Sequence, residues 1–394
     1  MGFLETGAKL EKEEKYVVNK YALLIGTETF NDPAISNLGG VLKDVEKFST
    51  ILRDSELSSF EVTSLTNPLL IDARRAISDV CIKAMKDDIV FFYYSGKGVL
   101  GADKSFYLLF TDSEYKFQDA TCMESEFVLS QFRKSECETF IIVIDTCHSG
   151  AFFNNNRGLP KSLVALTAGD ENQMAMETEE GGVFTNTIIK GLKSDYIDAN
   201  RDGKITFSEL FDYITQQQSK STESSYEGSP KKWEWNVDKD LVLFDSPRSV
   251  FISYQRQQSD LVEKISQSLI KSGISTFVDT KKIRTGDIWK ELLERSIKNA
   301  RAFIIVLDKE ILNSEVADWE LETAHKHGVP ILPLAVEKVT IPALFQKMYG
   351  HYNRMDFDID KYEYSITTVI EHIKALRVRQ PEEVAEDKIA DGTR

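Results

Sequence analysis

Short runs that are apolar at every position set the strongest limit on what this chain can fold into. "IVFFYY" (89–94), "FIIVI" (140–144) and "AFIIVL" (302–307) have no polar alternate. A strand with one face in water alternates apolar and polar residues, so these runs belong to strands covered on both faces. Related runs lie at 20–28, 60–65, 106–110 and 163–167, and helical spacing such as Val45, Phe48, Ile51 and Leu52 separates several of them. Strand and helix in alternation predict a parallel sheet with helices on each side. Ligands of such sheets gather at the carboxyl ends of the strands.

The pattern occurs twice. With 394 residues the chain exceeds one ordinary domain. The first set closes with "DLVLFD" at Asp245, and Ser246 and Pro247 mark a boundary. The second begins at once with "SVFISY" and repeats strand and helix to "PILPLAV". The expected division is an extension over 1–17, a first domain over 18–245, a second over 248–376, and an acidic tail over 380–394 that lacks aromatics and reads as disordered. The polar stretch from Gln216 to Lys232 reads as a flexible loop. A formal net charge of −15 argues against a nucleic-acid or anionic-membrane partner, and no apolar run is long enough to span a bilayer. The charged N-terminus does not read as a signal peptide, and Cys81, Cys122, Cys137 and Cys147 form no CxxC pair. Both features suit a reducing cytoplasm.

Two of the buried runs end in polar turns, "YYSGKGV" and "IDTCHSG". Cys147 closes the second, where a tight turn can present its sulfur. A structural cysteine would be a small buried hydrophobe instead. A nucleophilic cysteine acts as thiolate and needs a base or a positive neighbour. The residue at the tip of the other strand is Lys97. Of the five histidines, only His148 lies in this half of the chain. It adjoins Cys147, and neighbouring side chains on an extended chain point apart, which makes it a poor base for that thiol.

"YALLIGTETF", "LGGVLKDVEKF", "FFYYSGKGV", "FYLLFTDS" and "IIVIDTCHSG" follow in the order seen in the caspase-like cysteine peptidases of metacaspase and orthocaspase type, and residues 18–245 resemble that family. The resemblance implies an α/β fold, a caspase-like αβα sandwich, with Cys147 as nucleophile and Lys97 where the family has its histidine base. It implies an oxyanion hole from backbone amides near Gly98 and Cys147. It also implies a pocket for a basic side chain lined by Asp44, Asp145 and Asp112, hence a protein substrate cut after Arg or Lys. Three roles stay open for Lys97. As an ammonium it would favour the thiolate by its charge. Neutral and buried it would be a base, although an ordinary lysine is protonated at neutral pH. Or it leaves the site inert, and loss of one dyad member can lower the rate by a factor on the order of 10⁴. An impaired peptidase is the expectation.

"DANRDGKITFSE", Asp198 to Glu209, has the spacing of a calcium-binding EF-hand loop. Asp198, Asn200, Asp202, Lys204 and Glu209 take positions 1, 3, 5, 7 and 12, and Gly203 takes the sharp turn. Such a stretch also serves as a plain helix-connecting turn, so Ca²⁺ is an expectation with a structural alternative.

"SVFISYQRQQSD" and the stretch from "GISTFVD" to "PLAVE" resemble a TIR domain over 248–376, which implies a flavodoxin-like fold. TIR domains assemble with one another or cleave NAD at the nicotinamide bond. The resemblance places the family's catalytic glutamate at Glu320, with Ser253, Tyr254, Arg256 and Trp289 lining the nucleotide cleft. Glu322 competes. It stands about 200° round a helix from Glu320, so only one of them can face the cleft. The family's aromatic is missing at Val316, and Trp319 is the nearby replacement. A carboxylate at Glu320 would stabilise oxocarbenium-like charge, as in glycoside hydrolysis. The whole reads as a TIR–caspase-like fusion effector of bacterial immunity that assembles through its TIR domains. The alternative is a non-catalytic scaffold in which the TIR domain serves self-assembly alone.

Overall fold

Strand β1 (Lys20–Gly26) pairs in parallel with β2 (Glu61–Thr66) on one side and β3 (Ile89–Ser95) on the other. β3 pairs in parallel with β7 (Thr139–Asp145), and β7 with β8 (Ser162–Thr167). A computed structural model describes residues 18–170, 177–178, 181–194, 197–220, 229–237, 240–278, 287–311, 314–338 and 354–376, with backbone alone at 177–178, 218–220 and 287–289. The chain divides into two compact units, one holding residues 1–187 and 217–239, the other 188–216 and 240–394.

The uniformly apolar runs lie where double-sided burial demands. On β3, Phe91 and Tyr93 meet Phe48 of α1 (Val41–Arg53) edge to face, with ring centroids 5.5 and 5.1 Å apart. The alternate residues Phe92 and Tyr94 join the opposite core with Ile77 of α2 (Leu70–Lys83) and Phe132 of α4 (Ser125–Lys134). Each buried ring contributes roughly 1.5–3 kcal/mol by leaving water.

Two expectations need correction here. Phe106–Leu108 is β5, and it does not extend the parallel sheet. It pairs antiparallel with β4 (Gly98–Leu100) and with β6 (Met123–Glu124). The connection at 101–105 is too short for the crossover a parallel pair needs, and an antiparallel hairpin needs none. The stretch 216–232 is not one loop. Helix α6 (Phe207–Lys220) runs into it, and β12 (Lys231–Trp235) closes it as an antiparallel edge strand on β8. Residues 221–228 lie outside the described residues, as do 1–17 and 380–394. Short segments complete the first unit: α3 (Gln118–Thr121) and the pair β9 (Glu177–Thr178) and β10 (Gly181–Gly182) ahead of α5 (Val183–Leu192).

In the second unit, five parallel strands run in the order β15 (Thr276–Val278), β14 (Val250–Ser253), β16 (Ala302–Leu307), β17 (Ile331–Ala335), β18 (Met355–Asp356). Period two sorts the buried residues cleanly. Val250, Ile252, Ile304 and Val306 pack with α7 (Ser259–Lys271) and α10 (Tyr362–Ala375). Phe251, Phe303, Ile305 and Leu307 pack with α8 (Asp287–Lys298) and α9 (Glu315–Lys326). A two-stranded ribbon of β11 (Lys204–Thr206) and β13 (Val242–Asp245) belongs to the same unit.

Candidate functional site

In the first unit, register brings the two polar turns together. Ser95 and Asp145 are direct partners on β3 and β7. Lys97 and Cys147 each stand two residues beyond that pair, on strands that neighbour each other at the usual spacing of about 4.8 Å. Their turns pack closely. A Cβ on Gly98 would lie 2.6 Å from Thr146 Oγ1 and 2.5 Å from Phe106, so only glycine lets the Lys97 turn approach the nucleophile turn. The Lys97 carbonyl accepts from the Leu109 amide at 3.1 Å and from the Tyr94 hydroxyl at 3.3 Å, which fixes the turn that carries the side chain. Cys147 is half-buried, whereas Cys81, Cys122 and Cys137 are buried. Burial pushes the Cys81 thiol up to about 12 and the Cys137 thiol to about 11, so these two are inert. Beyond Cys147 the chain turns through His148 at φ 58°, into a short 3-10 turn at Ser149–Phe153.

Asp44 and Asp145, 101 positions apart, converge on one dipeptide. The Gly182 amide donates to Asp44 Oδ2 at 2.6 Å. A Cβ on Gly182 would lie 2.4 Å from Asp145 Oδ2 and 3.4 Å from Asp44 Oδ2. Asp145 Oδ2 accepts from the Thr185 amide at 3.2 Å and from its hydroxyl at 2.6 Å. Since that hydroxyl donates to the carboxylate, it accepts from the Tyr93 hydroxyl, 2.9 Å away. Burial raises the Asp145 carboxyl above its usual range, and the Thr185 bonds hold it down in part. Asp112 is elsewhere: its Oδ1 accepts from the Leu70 amide at 2.8 Å, at the first turn of α2. Gly182, Thr185 and Tyr93 were not singled out from the sequence. The small-residue run "EEGGVFTN" was the available signal, because closely spaced glycines permit close backbone approach.

In the second unit, β14 ends at Ser253, and the Ser253 hydroxyl donates to Glu320 Oε2 at 2.5 Å. Helix α9 starts under a Ser314 cap, whose hydroxyl accepts from the Ala317 amide at 3.3 Å, and Glu320 lies on its buried face. Glu320 is 4% exposed, whereas Glu322 is exposed. Tyr254 is half-buried beside Ser253 and Arg256 is exposed. The Trp289 side chain and residues 279–286 lie outside the described residues. Val316 is exposed, and Trp319 packs on the core beside α8 with the Lys290 ammonium 5.1 Å from its ring centroid. A buried carboxylate held by a hydroxyl at a strand's carboxyl end suits a ligand with ribose hydroxyls and developing positive charge.

The calcium-type residues are also together, but they face their own backbone. Asp198 accepts from the Asp202 amide at 3.1 Å and the Gly203 amide at 3.0 Å, and Asn200 Oδ1 accepts from Asp202 at 2.8 Å. Asp202 Oδ1 accepts from the Lys204 amide, and the Lys204 ammonium pairs with Asp245. Glu209 Oε1 accepts from the Ala199 amide at 3.1 Å, and Oε2 from the Thr206 amide at 3.0 Å. Thr206 and Glu209 thereby form a capping box at the start of α6. Burial raises the Asp198 carboxyl. Among the described residues, no three His, Cys, Asp or Glu side chains are grouped to hold a metal ion. As arranged, these side chains do not converge on one point as a calcium cage requires.

Comparison with known proteins matches two successive stretches of the chain to families. A caspase-domain family model matches residues 19–242 and a TIR-domain model residues 250–370. The NAD(+) hydrolase TirS of Staphylococcus aureus is 27% identical over 141 residues, which is 34% of this chain and 48% of TirS. The chain thus spans about half the length of that relative. Solved structures similar to this chain include a Geobacter sulfurreducens protein, at 15% identity and a TM-score of 0.45, covering 58% of this chain and 98% of its own. Caspase-1 from Spodoptera frugiperda is similar at 14% identity and a TM-score of 0.42, covering 55% of this chain and 86% of its own.

Proposed function

The chain belongs to the caspase-domain family and carries a TIR domain in the same polypeptide, and from that premise we propose that it is a two-module effector of bacterial, anti-phage type immunity whose TIR module hydrolyses NAD. The supporting observation is the buried Glu320 carboxylate bonded to Ser253 at the carboxyl end of β14. The partial similarity to an NAD(+) hydrolase supports the same substrate. In the reaction the bond between ribose C1′ and the nicotinamide nitrogen breaks, and its electron pair leaves with nicotinamide. Glu320 stabilises the oxocarbenium-like ribose, with Ser253 orienting the carboxylate. Water adds to C1′ and gives up its proton, leaving ADP-ribose. TIR domains of several copies assemble to do this in the cytoplasm. Among the described residues no helix is long and apolar enough to cross a membrane.

The caspase-like module is an impaired peptidase directed at Arg or Lys. Cys147 would attack the scissile carbonyl, but a lysine, Lys97, stands where the resemblance implies a histidine base. Lys97 also supports a second reading, a pseudo-peptidase scaffold whose TIR domain only assembles. Calcium is left out of both readings, because the Asp198–Glu209 carboxylates serve the loop's own amides. Purified full-length protein incubated with NAD, wild type beside Glu320→Ala, separates the readings. NAD loss in the wild type alone supports the hydrolase. No loss at any protein concentration leaves the scaffold.

A further inference from the structure

We propose that the EF-hand-like loop Asp198–Glu209 is a metal-free clip that holds the TIR unit's sheet edge and helix α8 in place. The loop and the TIR domain belong to one compact unit, and named contacts join them. Asn299, just beyond α8, donates from Nδ2 to the Arg201 carbonyl at 2.8 Å. Arg295, in the last turn of α8, donates to the Asn200 carbonyl at 3.3 Å. The Arg201 guanidinium lies 5.0 Å from the centroid of Phe277 on β15. Phe277 stacks on Phe251 at 5.3 Å, and Phe251 on Phe303 at 5.4 Å, so Arg201 caps an aromatic column across three strands of the sheet. The Gly203 carbonyl accepts from the Ser246 amide at 3.0 Å, which ties the loop to the segment leading into β14.

The loop's own chemistry is arranged for this task. Arg201 and Gly203 both adopt positive φ, 57° and 86°, the turn that offers the Asn200 and Arg201 carbonyls to α8. Asp198, Asn200 and Glu209 hold that turn by accepting backbone amides, which turns their side chains onto the loop itself. Glu209 is also committed to the capping box of α6. An EF-hand spacing can thus persist because the same Asx turns serve docking. The buried Ile205, paired with Phe244 across the ribbon, anchors the clip from beneath.

The test uses full-length protein. It is titrated with CaCl₂ into the millimolar range by isothermal calorimetry, and melted by differential scanning calorimetry in CaCl₂ and in EDTA. We expect no saturable heat and no shift between the two melts. Asn299→Ala and Arg201→Ala should each lower the melting of the TIR unit by about 3 °C or more. Both should also speed hydrogen exchange of the amides at 290–298 in the folded protein. Saturable calcium uptake that is lost in Glu209→Gln overturns the proposal. So does unchanged melting and exchange in both Asn299→Ala and Arg201→Ala.

Discussion

Ser253 closes strand β14 with its hydroxyl 2.5 Å from Glu320 Oε2, so a residue of the first TIR strand holds a residue 67 positions later on α9. Burial singles out Glu320 over Glu322, which points to solvent two residues on. Glu320→Ala should therefore abolish NAD cleavage, and Glu322→Ala should leave it within about twofold. Ser253→Ala should lower the rate roughly tenfold, the size of one lost hydrogen bond to a charged group. Nicotinamide release by purified variants reads all three. Loss of activity in Glu322→Ala alone would move the site by two residues.

Lys97→His would place an imidazole at the proposed base position. Cleavage of fluorogenic peptides after Arg or Lys should rise by about 10²–10⁴, the usual size of a general-base contribution. The gain should disappear in the double variant with Cys147→Ala. If the Lys97 protein is already fully active and histidine adds nothing, Lys97 is a working partner of the thiol and the impaired-peptidase reading fails.

Gly182 sits between two buried carboxylates with no room for a methyl group. Gly182→Ala should lower stability by about 1–3 kcal/mol, because the new Cβ must push Asp145 or the backbone aside. It should also weaken any peptide cleavage after Arg or Lys gained through Lys97→His. Urea denaturation of the full-length protein measures the first effect. An unchanged midpoint would mean that the Gly182–Thr185 stretch is free to move off the acidic pair.

Asp145 binds its proton more tightly in the folded protein than in the unfolded chain, because burial penalises the charge. Its contribution to stability is therefore present in full below the ordinary aspartate range and is lost as pH rises through the raised folded value. Asp145→Asn has no charge to bury and can still accept from Thr185. The stability of the variant relative to wild type should increase with pH through the window above the ordinary aspartate value, then stay constant. Paired urea curves at several pH values test this. A difference that shrinks with rising pH would show that the Thr185 bonds outweigh desolvation.

Double-sided burial of "IVFFYY", "FIIVI" and "AFIIVL" was legible in sequence, because side-chain period is local and survives without neighbours. The strand-end turns carrying Lys97, Cys147 and Ser253 followed from it, and the quoted motifs separately carried both domain resemblances. Pairing was not legible. Phe106–Leu108 is as apolar as the parallel strands, and only its flanking turns make it a hairpin. Asp44, Asp112 and Asp145 look alike in a list of acidic residues. The tertiary structure sends Asp112 to the first turn of α2 and brings the other two to Gly182. The EF-hand spacing places five oxygen-bearing residues in order, but which groups their oxygens meet depends on backbone turns and on α8, whose Arg295 reaches the Asn200 carbonyl from 95 residues away. Composition and period determine which residues are buried. Their hydrogen-bond partners are set by chain segments far apart in sequence, and these meet only when the fold closes.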